Sequence, residues 1–219
     1  GNLMSLELRK RIITSFLLLL LLILMYKYTY ILIISLIIMA LIAWIEFYAL
    51  VSKIFKKDNF DGIIKRFVAK SLSLIYLSFI VFLIIINFNI KSYIFFILLI
   101  SIFTDIGGLV IGKIFKGKKL TQVSPNKTYS GVIGSLSFSL FLVPFFISNL
   151  NIFNTYSLVL FTILISVTSQ LGDLFISFLK RKADVKNTSD LLPGHGGILD
   201  RVDGIIFALP MGILLLNFF

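Results

Sequence analysis

Residues 71–112 read SLSLIYLSFIVFLIIINFNI, then Lys91, then SYIFFILLISIFTDIGGLVIG, and the only charged side chains in this whole stretch are Lys91 and Asp105. Each half is about twenty apolar residues, which as α-helix spans a hydrocarbon layer of ~30 Å. A soluble helix sets an apolar stripe against a polar face, and neither half does so. The same pattern recurs outward in both directions, at 12–26, 29–51, 131–150, 155–179 and 202–219. Of the 219 residues, 58% are hydrophobic, and the mean hydropathy is +1.04. The expected fold is all-α: a polytopic integral membrane helical bundle of about seven transmembrane helices. Residues 1–219 are expected to form one integral membrane domain without a separate soluble module.

The first run, 12–26, is short and needs snorkelling at its ends. It follows Arg9, Lys10 and Arg11 as in a signal peptide, but no small-x-small cleavage site precedes Lys27, so it is read as a retained span. Gly1, Asn2 and Leu3 precede the first methionine, Met4, and are read as a remnant ahead of the native start.

Of the 21 Lys and Arg residues, only Lys27 and Lys91 fall outside 9–11, 53–70, 113–127 and 180–201. With seven spans, the positive-inside rule predicts a cytoplasmic N-terminus, an external C-terminus and every basic segment on the cytoplasmic face. The net charge of +11 is then mainly a topology signal, and no nucleic-acid partner is expected. The 53–70 stretch is read as a topology determinant, with a membrane-surface segment that concentrates anionic lipid as the alternative. Cysteine is absent, which excludes disulfides, thiolate metal sites and a cysteine nucleophile.

Carboxylates inside a membrane need a partner, water or a metal. Asp105 lies eight residues before Lys113 and Asp173 seven before Lys180, so each is expected roughly 10–12 Å below a helix end. Ser169, Asp173, Ser177 and Lys180 make one polar stripe, and Ser101, Gly108 and Gly112 fall on the side of Asp105. The bland alternative for both acids is ordinary interhelical hydrogen bonding. Glu46 lacks such a stripe and is read first as a carboxylate paired inside the bundle, with a functional role as the alternative.

Polar chemistry concentrates in 177–203, SFLKRKADVKNTSDLLPGHGGILDRVD, with Lys180, Arg181, Lys182, Lys186, Arg201 and the only histidine, His195. Its cations suit phosphate oxygens, while Asp200 and Asp203, at i and i+3, suit a hard divalent cation. An N-cap role is the competing reading of Asp200. Glycines around His195 allow close backbone approach, and the imidazole titrates near neutrality. A second loop, Ser124-Pro125-Asn126-Lys127-Thr128-Tyr129-Ser130-Gly131, opens the fifth span with free N–H groups, hydroxyls and a lysine suited to a polyphosphate. Together these point to phosphoryl or nucleotidyl transfer at a membrane face.

The run Ser177-x-x-Lys180-Arg181, Lys186, Pro193-Gly194-His195-Gly196-Gly197, Asp200-Arg201, Asp203 resembles the C-terminal hallmark of the phosphatidate cytidylyltransferases, the CDP-diacylglycerol synthases. Gln170 to Asp173, Asp105 to Gly108 and Ser124 to Thr128 resemble that family's other polar motifs, so the likeness covers 101–204. The first hundred residues are similar only as hydrophobic spans with a Trp44/Glu46 neighbourhood. Two positions depart from the pattern: Asn187 and Ser130 stand where the family usually has acids.

The resemblance implies an all-helical enzyme of the bacterial cytoplasmic (inner) membrane, its site facing the cytoplasm. It implies that CTP and phosphatidic acid become CDP-diacylglycerol and pyrophosphate, with a Mg²⁺ requirement and room for a second cation. Under that reading Asp173, Asp200 and Asp203 hold Mg²⁺, with Asp105 as a further candidate. Lys127, Lys180, Arg181 and Arg201 hold phosphates, and Ser124 and His195 donate hydrogen bonds. Thr128, Ser177, Lys186, Gly196 and Gly197 complete the substrate-binding set. Membrane lipids are the other partners, and a homodimer is one assembly the sequence leaves open. Three rivals stay open: a CTP-dependent lipid-alcohol kinase, an ion-coupled transporter, and a non-catalytic relative.

Overall fold

The computed structural model describes residues 2–56, 60–122, 124, 127–194 and 196–219. Its Ile-, Leu- and Phe-rich runs would favour strands by propensity in water. In hydrocarbon the backbone must satisfy itself, and helix is the local way to do so. Among the described residues there are nine α-helices and no strand: α1 (Asn2–Lys27), α2 (Thr29–Ile54), α3 (Phe60–Ile86), α4 (Lys91–Phe115), α5 (Tyr129–Leu140), α6 (Val143–Phe146), α7 (Thr155–Lys182), α8 (Leu199–Val202) and α9 (Ile205–Leu215). Two isolated antiparallel bridges, Lys119 with Thr128 and Leu192 with Gly196, close short loops.

Five segments among the described residues are long and apolar enough to cross a membrane: α2, α3, α4 with its preceding turn, α5 with α6, and α7. The all-α membrane bundle stands, and among the described residues the expected count of seven is not confirmed. In α1 the apolar run 12–26 is bracketed by Arg11 and Lys27, so it can cross only with those side chains snorkelling at its ends. At the C-terminus the expected span 202–219 resolves into α8, a turn at Asp203 and Gly204, and α9. The 11 residues of α9 rise roughly 16 Å. The expected span 131–150 is interrupted after Leu140, where Pro144 has no N–H to donate and its ring crowds the preceding turn. The third span was expected from 71, but α3 starts at Phe60: the cations Lys65, Arg66 and Lys70 lie on its first turns instead of in a loop.

The chain divides into two compact units, Gly1–Ile85 with Leu179–Val202, and Ile86–Phe178 with Asp203–Phe219. In the first, Arg66 donates to the Phe55 carbonyl (2.7 Å) and Trp44 Nε1 to that of Lys70 (3.1 Å), which ties α3 to α2. The Lys70 ammonium lies over the rings of Tyr48 (4.5 Å) and Trp44 (5.2 Å).

In the second unit α4 and α5 meet through glycine. A Cβ on Gly134 would stand 2.6 Å from the Gly107 carbonyl oxygen, and one on Gly131 3.0 Å from that of Gly108. The small residues expected around Asp105 therefore admit a neighbouring helix. Two hydroxyl bonds bracket this contact: Ser135 donates to the Thr104 carbonyl and Thr104 to Ser166 Oγ on α7, both at 2.8 Å. Below them Phe96, Ile97, Ile100, Phe161 and Ile165 are fully buried, and Phe96 meets Phe146 at 4.9 Å between ring centres.

Candidate active site

The polar residues gather at two places, one in each unit. In the first unit α7 ends where Ala183 and Val185 donate back to the carbonyls of Leu179 and Lys180. Asp184, at φ 55°, turns the chain away from the helix. The returning loop then folds around two carboxylates. Asp200 Oδ1 accepts from Lys180 Nζ at 2.7 Å. Its Oδ2 accepts from the backbone N–H of Thr188 (2.8 Å) and the N–H of Gly197 (3.0 Å), and it lies 3.0 Å from the Thr188 hydroxyl, whose one proton is shared with Glu46. Burial alone would raise the Asp200 carboxyl. The Lys180 hydrogen bond, the two N–H donors and the Lys180 charge outweigh it and hold the group below the usual carboxylate range.

The second carboxylate comes from α2. Glu46 is only 4% exposed and accepts four hydrogen bonds. Its Oε1 takes Ser189 Oγ (2.6 Å) and Ile198 N (3.1 Å), and its Oε2 takes Leu199 N (2.7 Å) and Thr188 Oγ (2.9 Å). Hydrogen bonds to a charged group contribute roughly 1.5–3 kcal/mol each, enough together to offset several kcal/mol of carboxylate desolvation. The pairing expected for Glu46 exists, but with a loop about 140 positions away in the chain, not with a neighbouring span.

Glycines make the loop possible. A Cβ on Gly197 would meet Thr188 Oγ, Glu46 Oε2 and Glu46 Cδ, the last at 2.7 Å. Gly196 has φ 84°, and a Cβ there would lie 2.8 Å from Asp200 Oδ2 and 3.2 Å from Asn187 Cγ. Its N–H and carbonyl are both bonded to Leu192. The N–H groups of both glycines are thus engaged within the loop. Thr14 on α1 donates to the carbonyl of Pro193 at 3.1 Å.

In the second unit Asp173 on α7 forms an ion pair with Lys127, each side chain a quarter exposed, and accepts from Ser177 Oγ at 3.3 Å. Lys127 is held by its backbone, donating to Ser124 O (3.0 Å) and accepting from Leu120 N (2.8 Å). Thr128 is the N-cap of α5 and accepts from Gly131 N at 3.1 Å. Ser130 bonds the Thr128 hydroxyl (2.9 Å) and accepts from Gly117 N (3.3 Å), so it closes the loop where the resemblance leads one to expect an acid.

Of the residues singled out by sequence, Lys180, Asp200 and Gly197 come together in the first unit, and Lys127, Asp173 and Ser177 in the second. Arg181, Lys186 and Arg201 are exposed. Asp203 is 6% exposed and accepts from Gly204 N at 2.9 Å. Asp105 lies on an exposed face of α4. His195 is outside the described residues. Thr188 and Ser189 were missed: two hydroxyls in a polar loop carry no periodic signal, and their partner Glu46 is on another helix.

Among the described residues no group of three or more His, Asp or Glu side chains stands together as a metal cage. Mg²⁺ does not require one, since it binds through one or two carboxylates and completes its shell with phosphate oxygens and water. Asp173 fits that mode better than Asp200: its oxygens are engaged only by the side chains of Lys127 and Ser177 and its side chain is 25% exposed, whereas the Asp200 side chain is 5% exposed and held by backbone N–H groups as well.

The sequence model of the Cytidylyltransferase family matches residues 3–219. The chain belongs to the cytidylyltransferase family. Over 131 residues it is 43% identical to a phosphatidate cytidylyltransferase of Bacillus subtilis (strain 168), covering 58% of this chain and 48% of that protein. A phosphatidate cytidylyltransferase of Staphylococcus haemolyticus is 44% identical over 127 residues, 57% of this chain and 48% of the relative. One from Rickettsia bellii is 42% identical over 120 residues, 51% and 50% respectively. The chain therefore spans about half the length of the curated relatives it matches. Membership in the cytidylyltransferase family agrees with the resemblance read from 101–204.

Proposed function

We propose that this chain carries a CTP:phosphatidate cytidylyltransferase activity, joining CTP and phosphatidic acid into CDP-diacylglycerol and pyrophosphate at the cytoplasmic face of a bacterial inner membrane. The observation that carries the reading is the pair of lysine–carboxylate contacts, Lys127 with Asp173 and Lys180 with Asp200, in a chain of this family. Each offers a cation for phosphate oxygens and a carboxylate that holds the cation until phosphate arrives.

The reaction needs no protein nucleophile. A phosphate oxygen of phosphatidic acid attacks the α-phosphorus of CTP, a new P–O bond forms, and the bond from that phosphorus to the α,β-bridging oxygen breaks. Pyrophosphate leaves with the electron pair. The barrier is largely repulsion between anions, so the chain's work is to hold and neutralise them. Lys127 and Lys180 are assigned to phosphate oxygens in this reading, and the exposed Arg181 and Arg201 add positive charge. Asp173 is the residue that would hold Mg²⁺, with Ser177 orienting its carboxylate. Mg²⁺, when bound, supplies Lewis-acid polarisation of phosphoryl oxygens.

The test is product analysis of purified protein with CTP, phosphatidic acid and Mg²⁺ in detergent. The expected products are lipid-linked CMP and pyrophosphate, and release of CDP with a neutral lipid alcohol would support the kinase instead. Asp173→Asn should remain folded and lose at least about 10²-fold in turnover, as removal of a few kcal/mol of transition-state stabilisation requires. Near-normal turnover in the folded variant removes Asp173 from the site.

A further inference from the structure

The cation Lys180 owes its position to a chain of contacts that leads to the second helix. Lys180 is bonded to Asp200, Asp200 to both the N–H and the hydroxyl of Thr188, and that hydroxyl also lies 2.9 Å from Glu46. Glu46 further takes the N–H groups of Ile198 and Leu199, which open α8, the helix that bears Asp200. Both ends of the 188–200 loop are therefore fastened to one buried carboxylate. Gly197 has no side chain where Glu46 enters, so the fit is steric as well as polar. Nothing in a phosphate-binding role requires a buried, fully bonded acid at this place. Its four donors come from backbone and neutral hydroxyls, and a carboxylate is the only side chain that accepts from all four sides.

We propose that Glu46 is a positioning residue: it clamps the 188–200 loop and, through Thr188, sets Asp200 and hence the ammonium of Lys180 for the substrate phosphate. The catalytic part of this rests on the cytidylyltransferase reading above, whereas the clamp itself does not. Glutamine at 46 would turn an N–H₂ toward one backbone N–H and one hydroxyl, which loses the bond to the N–H and forces the hydroxyl to reverse from donor to acceptor. Valine at 188 keeps the shape of threonine and deletes only the hydroxyl that joins the two carboxylates.

The experiment compares the wild-type protein with Glu46→Gln, Thr188→Val and Thr188→Ser in detergent, read by trypsin cleavage and by steady-state kinetics. Lys186 is exposed two residues before the first clamped residue, Thr188, and Lys65, exposed on α3, is the internal control. Glu46→Gln should raise cleavage after Lys186 at least about tenfold relative to that after Lys65, and Thr188→Val should raise it less. In turnover, Thr188→Val should lower kcat about tenfold while the KM for CTP stays within about twofold, and Thr188→Ser should restore kcat. A hydroxyl with a merely structural role would lower the amount of folded protein without this kcat-specific loss and its rescue. Glu46→Gln with unchanged Lys186 protection overturns the clamp, and Thr188→Val with normal kcat overturns the link to Lys180. Should the wild-type protein form no lipid-linked CMP, the activity reading fails while the cleavage ratio still decides the clamp.

Discussion

At the scale of single residues, Asp200 is an acid whose two oxygens are both taken up by its own surroundings. Lys180 and two backbone N–H groups hold its folded pKa below the ordinary value, so ionised Asp200 contributes stability that is complete above about pH 4. That contribution is lost as the pH falls through the lowered folded value. The difference in thermal midpoint between wild type and Asp200→Asn should be constant from about pH 6 to pH 5 and shrink below about pH 4. A difference independent of pH down to about pH 3 would show that the charge of Asp200 is not what the loop uses. The sequence made Asp200 legible as a functional acid but not its role. The i, i+3 spacing with Asp203 suggested a shared metal, whereas both oxygens of Asp200 are taken by groups 3, 12 and 20 positions away in the chain. Asp173 was legible with its partner Ser177, because both belong to the same helical stripe.

At the scale of elements, the glycine contact between α4 and α5 gives the sharpest prediction. Alanine in place of Gly134 gains up to about 1 kcal/mol of helix propensity. Its Cβ, however, would press on the Gly107 carbonyl at 2.6 Å, and backbone cannot rotate away. The net effect should be a loss of about 1–3 kcal/mol, as for other overpacked helix contacts. Gly112→Ala is the matched control: its Cβ would come nearest to the Thr128 hydroxyl at 3.2 Å, with the Gly131 Cα at an ordinary contact distance of 3.5 Å, and the loss should be less than half as large. Denaturant unfolding in detergent measures both, and equal losses would refute the close-contact account. Helices α2 and α4 could be read from sequence because each is an apolar run between lysines, and α7 because its apolar run ends at Lys180, Arg181 and Lys182. The misread elements share another cause. The cations of 60–70 resemble a loop although they continue a helix, and Pro144 and Gly204 cut two apolar stretches that composition alone leaves whole.

At the scale of the whole molecule, the basic residues give the expected orientation: 113–127 and 180–201 toward the cytoplasm, with Lys27 away from it. The chain has no cysteine, so one introduced thiol is a unique handle. An impermeant external reagent on intact cells should label Lys27→Cys and spare Lys118→Cys until the membrane is opened. External labelling of Lys118→Cys would reverse the assignment. The bond from α2 to the 188–199 loop also has a consequence for how the protein is made. Glu46 leaves the ribosome some 140 residues ahead of the groups that satisfy it, on a helix whose mean hydropathy of 2.5 commits it to the bilayer early. During synthesis an acidic side chain therefore waits in or beside the membrane without its donors, at a cost of about 2.5–3.5 kcal/mol if it lies at mid-depth. Segments that emerge later relieve that debt, so a nascent chain stopped before residue 188 would present quality-control proteases with an unsatisfied acid in α2.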